Sequence, residues 1–174
     1  MSKNQKTTLY LKECMADAFL SLLKEKAFSE IRIEDIVNKA EVGRTTYFRN
    51  FSSKQEILVY KLIRLWERYA EEHNIKEQRN FDINNALPFF QYNLEIKDTL
   101  KIMYDAGLQS LVFESFTNIM LPADKADAKK CYREKFYSYG LFGLLDDWIN
   151  RDFKETPEEM ADYLREFVKN TSPH

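Results

Sequence analysis

Along this chain apolar residues return every three or four positions, the spacing that lines one face of an α-helix. The two-residue alternation of a half-buried strand is absent. The first run covers residues 8–26, with Leu11, Met15, Ala18 and Leu22 on one stripe. A short run follows Arg32 (Ile33, Ile36, Val37, Ala40), Gly43 breaks the chain, and residues 44–51 form a third element. A long helix opens at Ser52 or Ser53, where Ser-x-x-Gln and Ser-x-x-Glu overlap as capping boxes, and runs to about His73. Residues 74–84 are polar and read as a connection. Pro88 is expected at the first position of the next helix, where its missing N–H would have had no partner. Further runs cover 88–95, 98–105 and 108–120, with Gly107 as a break and Pro122 as a stop. A long helix is expected from Asp124 to Phe153. Thr156-Pro157-Glu158-Glu159 then starts the last one, with Thr as N-cap, Pro in the first position and Glu in the third, and it ends near Asn170. The pattern predicts an all-α fold of about nine helices.

Composition narrows the class. Of 174 residues 44% are hydrophobic and 31% charged, which suits a packed globular protein and not a disordered one. No apolar run approaches the ~20 residues of a membrane-spanning helix. The leading MSKNQKTTLYLKE has no apolar core and is not read as a secretion signal. Cys14 and Cys131 lie far apart in sequence and are expected as thiols of a reducing cytosol, so a cytoplasmic address follows. The net charge of −2 argues by itself against nucleic acid. Its distribution points the other way: residues 1–61 hold eleven Lys and Arg against eight Asp and Glu, the rest fifteen against twenty. A basic head on an acidic body fits DNA contact at one end, although a three-charge excess alone does not exclude chance.

Residues 31–58, IRIEDIVNKAEVGRTTYFRNFSSKQEIL, combine a short amphipathic helix, a tight turn at Glu41-Val42-Gly43 and a second short helix. That is the pattern of a helix-turn-helix, with Ile36, Ala40, Val42 and Phe51 expected inside and the small Ala40 allowing close approach. The second helix is expected to present Arg44, Thr45, Thr46, Tyr47, Arg49 and Asn50 outward. Arg and Asn suit guanine and adenine edges in a major groove. Lys54, in the first turn of the following helix, is placed to meet a phosphate. A plain three-helix packing unit would explain the apolar spacing, but not so much Thr, Tyr, Arg and Asn on one short helix.

The same stretch resembles the N-terminal signature of the TetR family of transcriptional regulators. The residues that carry the likeness are Asp35-Ile36-Val37, the run from Ala40 through Val42, Thr46 and Phe51, and Ser53-Lys54-Gln55-Glu56-Ile57-Leu58. The match is ordered and gapless and covers about residues 8–60. It implies a helix-turn-helix domain over residues 1–52 and a regulatory and dimerisation domain over 53–174. It also implies a homodimer on a palindromic double-stranded DNA operator, repression as the usual output, and release by a small-molecule or protein effector. Several positions depart from the family. Glu41 replaces the turn glycine, so that turn is expected to be strained, and Gly43 replaces a serine cap. Phe48 stands where the family has a phosphate-contacting tyrosine, and Asn50 replaces a histidine. Arg32 takes the place of a Thr or Ser cap and is read as a phosphate contact.

In the larger half, residues 140–164 resemble the C-terminal region of a TetR subgroup common in Gram-positive bacteria. Glycine inside a helix costs ~1 kcal/mol relative to alanine, and close approach of another helix is the usual compensation. Phe136, Gly140, Gly143, Leu144 and Trp148, with Met160, Tyr163, Leu164 and Phe167 of the last helix, are therefore read as a dimer interface built as a four-helix bundle. A two-fold axis would present two recognition helices ~34 Å apart. An intramolecular core is the plainer explanation of the same stripe. The resemblance also implies a ligand pocket, for which the middle helices offer the aromatics Trp66, Tyr69, Phe89, Phe90, Tyr92, Tyr104, Phe113 and Phe116; such a stripe is more often core. His73 reads as a helix C-terminal cation.

Nothing in the sequence assembles a catalytic site. His73 and His174 are the two histidines, so neither paired Glu-x-x-His nor His-Glu-x-x-His is present. Asp146-Asp147 and Glu71-Glu72 are adjacent pairs whose side chains diverge by ~100° on a helix. No enzyme, cofactor, metal or membrane contact is expected. The competing reading is a helical protein-interaction module without DNA binding, to which Phe48 and Glu41 lend weight.

Overall fold

The computed structural model describes residues 3–75, 85–121 and 127–170, and among them there are nine helices and no strand. These are α1 (Lys3–Leu23), α2 (Ile33–Lys39), α3 (Arg44–Asn50), α4 (Lys54–Glu72), α5 (Ala86–Glu95), α6 (Lys97–Asp105), α7 (Gln109–Met120), α8 (Ala128–Asn150) and α9 (Pro157–Asn170). The all-α expectation holds. The connection read over residues 74–84 falls largely outside the described residues, as do Pro122, Asp124 and His174.

Local chemistry sets the helix ends. At α9 the capping box is complete: Glu159 N donates to Thr156 Oγ1 at 3.2 Å, and Thr156 N donates to Glu159 Oε2 at 2.8 Å. Of the two overlapping serine boxes before α4, Ser53 supplies the cap, its Oγ accepting from Glu56 N at 3.2 Å while Glu56 reaches back to Ser52 N at 2.7 Å. Asp127 caps α8 through Lys130 N. Gly107 ends α6 with φ 71, and Leu108 N closes the turn onto Met103 O at 2.8 Å. Two expectations need correcting. Pro88 lies in the third position of α5, not the first, which costs nothing because that N–H would also have had no intrahelical acceptor. α8 stops at Asn150 and not at Phe153: Asp152 and Phe153 both take positive φ (60 and 54), and Phe153 N bonds to Trp148 O at 2.9 Å. Packing of the buried Phe153 ring on Trp148, centroids 4.9 Å apart, holds this turn without a glycine.

The chain divides into two units, residues 1–65 with 102–115, and residues 66–101 with 116–174. The first buries Met15, Phe19 and Leu22 of α1 with Ile31, Ile36, Tyr47, Phe51, Ile57, Leu58 and Leu62. Lys61 of α4 fastens α1 through Glu13 (2.8 Å) and Asp17 (2.7 Å). In the second unit α5 packs on α9, and Phe89, Phe90, Leu141, Leu145, Trp148, Met160 and Leu164 are buried.

Between α2 and α3 the chain turns at Glu41, whose φ is 55, with Val42 N bonded to Val37 O at 3.0 Å. A left-handed residue with a Cβ costs about 1 kcal/mol more than glycine. Glu41→Gly is therefore expected to stabilise the protein by about 1 kcal/mol and raise the melting temperature by about 3 °C in a thermal scan. An unchanged or lower melting temperature would count against strain at this turn.

Candidate nucleic-acid interface

Helix α3 has seven residues, and each step turns it by ~100°. Arg44, Thr45, Phe48 and Arg49 thus share an arc of ~140°, and all four are exposed. Asn50 lies opposite that arc and Thr46 and Tyr47 flank it; Thr46 and Asn50 are half-buried and Tyr47 is buried. Tyr47 is the correction to the expected outward set: it is 1% exposed, with its ring 5.1 Å from Phe48 and 6.3 Å from Phe51, so it cannot reach a base edge. Burial raises the pKa of its phenol, and the charge of Glu56 adds to the shift. Its neighbour Phe48, 58% exposed, takes the outward place. The apolar spacing of residues 47, 51, 57 and 58, all buried, carried that signal.

Asn50 is also differently engaged, its amide donating to Thr46 O at 2.7 Å within the helix. Arg44 lies exposed at the start of α3, 2.8 Å from Glu34 Oε1, with its guanidinium 5.4 Å from the Phe48 ring centroid. An ion pair this exposed stabilises little and exchanges readily for another anion. Gly43 caps α3 with extended backbone and no side-chain acceptor, as its residue type dictates. Arg32 stands exposed before α2, where its N–H donates to Asp35 Oδ2 at 2.9 Å. That bond, with Lys26 nearby, holds the Asp35 carboxyl below its usual pKa.

Lys54 has a task other than the expected phosphate contact. Its ammonium donates to Phe28 O at 2.6 Å and Ile31 O at 2.9 Å and lies over the Phe28 ring at 4.1 Å. It ties the α1–α2 loop to the start of α4, and burial lowers its pKa. Two of its three N–H donors are used there.

Of the aromatics read as a pocket, Trp66, Tyr69, Phe89, Phe90 and Phe116 belong to the second unit and are buried. They pack ring against ring: Trp66 on Tyr92 at 5.0 Å, Tyr69 on Tyr92 at 5.2 Å, Phe89 on Phe116 at 5.9 Å and Phe90 on Trp148 at 5.5 Å. Tyr104 and Phe113 belong to the first unit and are half-buried. His73 stacks on Tyr69 at 4.0 Å, its Nδ1 2.9 Å from Tyr69 O.

Helix α8 carries two apolar stripes. Leu141, Leu145, Trp148 and Ile149 face inward, while Tyr132, Phe136, Tyr139 and Gly143 lie on the opposite side, ~180° away, and are exposed. Tyr132, Phe136 and Tyr139, with Phe167 of α9, line an open groove of about 590 Å³ whose wall also includes Gly140, Leu144, Leu164 and Val168. Tyr163 of α9 is exposed as well. Nothing lies within 4 Å of a Cβ built on Gly140 or Gly143. Trp148 and Met160, read from the sequence as interface, are instead buried in the unit's own core, and Trp148 Nε1 donates to Glu155 O at 3.0 Å. Leu164 is buried but still lines the groove. Tyr132 and Tyr139 join this exposed stripe, since 132, 136, 139 and 143 keep helical spacing.

A family model described as a transcriptional regulator C-terminal region, of the TetR type, matches residues 73–170, more than half of the chain. The chain belongs to the TetR family of transcriptional regulators. A comparison with curated proteins finds no match. The matched span takes in α5 to α9, including the groove, so the TetR assignment rests on the C-terminal region and the N-terminal signature is a separate likeness. Among the described residues of this TetR-family chain no helix is long and apolar enough to cross a membrane, and no three metal-ligating side chains cluster.

Proposed function

We propose that the protein is a sequence-specific DNA-binding repressor that acts as a homodimer on a palindromic operator. The observation that carries this reading is the exposed arc of α3. A helix held by a buried Tyr47 presents two arginines, a threonine and a phenylalanine to solvent, on a short rigid element that fits a major groove. Arg44 reads a base edge, with Thr45 beside it, while Arg49 and Arg32 hold phosphates. The second apolar stripe of α8 supports dimerisation: its two glycines leave room for a partner's helix that the protomer itself does not fill. An effector bound by the C-terminal region would release DNA by shifting the balance between two dimer geometries. To reach Trp66, Tyr69 or Phe89 it would have to part rings that now pack together.

Selection of genomic fragments by the purified protein, followed by titration of the best palindrome at several salt concentrations, tests the reading. The expected complex has two protomers per site and weakens with salt, each phosphate contact adding ~0.9 to the log–log slope. Arg49→Ala should lower that slope by about 1 per protomer, whereas Arg44→Ala should weaken binding by roughly tenfold or more and relax preference at one position. No enrichment over random fragments, with and without cell extract as a source of effector, would sink DNA binding in favour of a helical protein-interaction module.

A further inference from the structure

Granted the DNA-binding reading, on which this rests, we propose that Phe48 is a specificity-determining residue. It contacts the C5-methyl of a thymine in each half-site, within two base pairs of a guanine read by Arg44.

Phe48 is an exposed phenyl on an otherwise polar arc, one helical turn after Arg44. It has no hydroxyl to offer a phosphate, and the negative face of a phenyl ring is a poor neighbour for an anionic oxygen. The thymine methyl is the apolar group that B-DNA presents in its major groove. Arg44 fixes where that methyl must be. Its guanidinium lies 5.4 Å from the Phe48 centroid, between one and two base steps of ~3.4 Å. Stacked on the ring, the guanidinium keeps its N–H edge for the O6 and N7 of a guanine. The Glu34 carboxylate now at 2.8 Å is displaced by that base.

Deoxyuridine replaces each thymine of the selected operator in turn, which removes one methyl and alters nothing in the protein. One thymine per half-site is expected to be sensitive, losing about fourfold in affinity, or about fifteenfold when both half-sites are changed. In Phe48→Ala, whose fold circular dichroism should report intact because the ring is exposed, the same substitution should cost nothing. Replacing a guanine within two base pairs by 7-deazaguanine should weaken wild type but not Arg44→Ala. The proposal fails if no thymine is methyl-sensitive, or if Phe48→Ala retains the full deoxyuridine penalty. Failure to form any sequence-specific complex would instead overturn the DNA-binding reading itself, and this one with it.

Discussion

If the protein is the proposed dimer, Phe136→Glu combined with Phe167→Glu is expected to leave it a monomer of 20.8 kDa. Phe136 is 68% exposed and Phe167 50% exposed in the protomer, and both line the same groove. If that groove receives a partner's α8 and α9, a dimer buries four such rings. Each is worth ~1.5–3 kcal/mol on leaving water completely and somewhat over half of that from its present exposure, so their loss removes roughly 5 kcal/mol. The dimer dissociation constant should rise more than a thousandfold, visible in sedimentation at micromolar concentration. Helix content should be unchanged, because neither ring belongs to the protomer's core. DNA affinity should collapse with the dimer, since one reading head alone contacts half an operator. A wild-type chain already monomeric at ~10 µM, or a doubly substituted chain that still sediments as a dimer, would move the interface elsewhere.

Much of this architecture is legible in the sequence because its signals are local. Thr156-Pro157 starts α9, Ser53 starts α4 and Gly107 ends α6 through groups within five residues of one another. What escapes a linear reading is long-range or degenerate. Lys54 sits in the family signature where a phosphate contact was expected, yet its partners are carbonyls 26 and 23 residues earlier, and no local pattern announces them. Tyr47 and Phe48 are both aromatic and adjacent, so composition cannot say which faces inward; only the register set by the buried Phe51 decides. The end of α8 was misjudged because Asp152 and Phe153 adopt the left-handed conformation without being glycine. Trp148 and Met160 read as interface because a helix with apolar residues on two sides does not reveal which stripe its own domain covers.

Lys61→Ala is expected to destabilise the protein by about 3 kcal/mol, through the charges it leaves behind. The Lys61 side chain is only 9% exposed, and its ammonium bridges Glu13 and Asp17 of α1. Burial alone would lower the ammonium's pKa, but the hydrogen bonds to Asp17 and Glu13 more than offset this and raise it above its ordinary 10.5. A cation with a raised folded pKa stabilises fully below its unfolded value, and the contribution is lost as pH rises through the folded one. The gap in denaturant stability between wild type and Lys61→Ala should therefore stay constant from pH 6 to 9 and narrow only above about 10.5. Asp17 faces solvent and rehydrates when Lys61 is gone, whereas Glu13 stays mostly covered, so the cost centres on Glu13. Glu13→Gln in the Lys61→Met background should recover part of the loss: it removes the covered carboxylate, while Arg64, whose Nε lies 3.8 Å from Glu13 Oε1, gives up that partner. A single-variant loss under 1 kcal/mol, or a double variant as unstable as Lys61→Ala, would mean that apolar packing of α1 on α4 holds this corner and the ion pairs only decorate it.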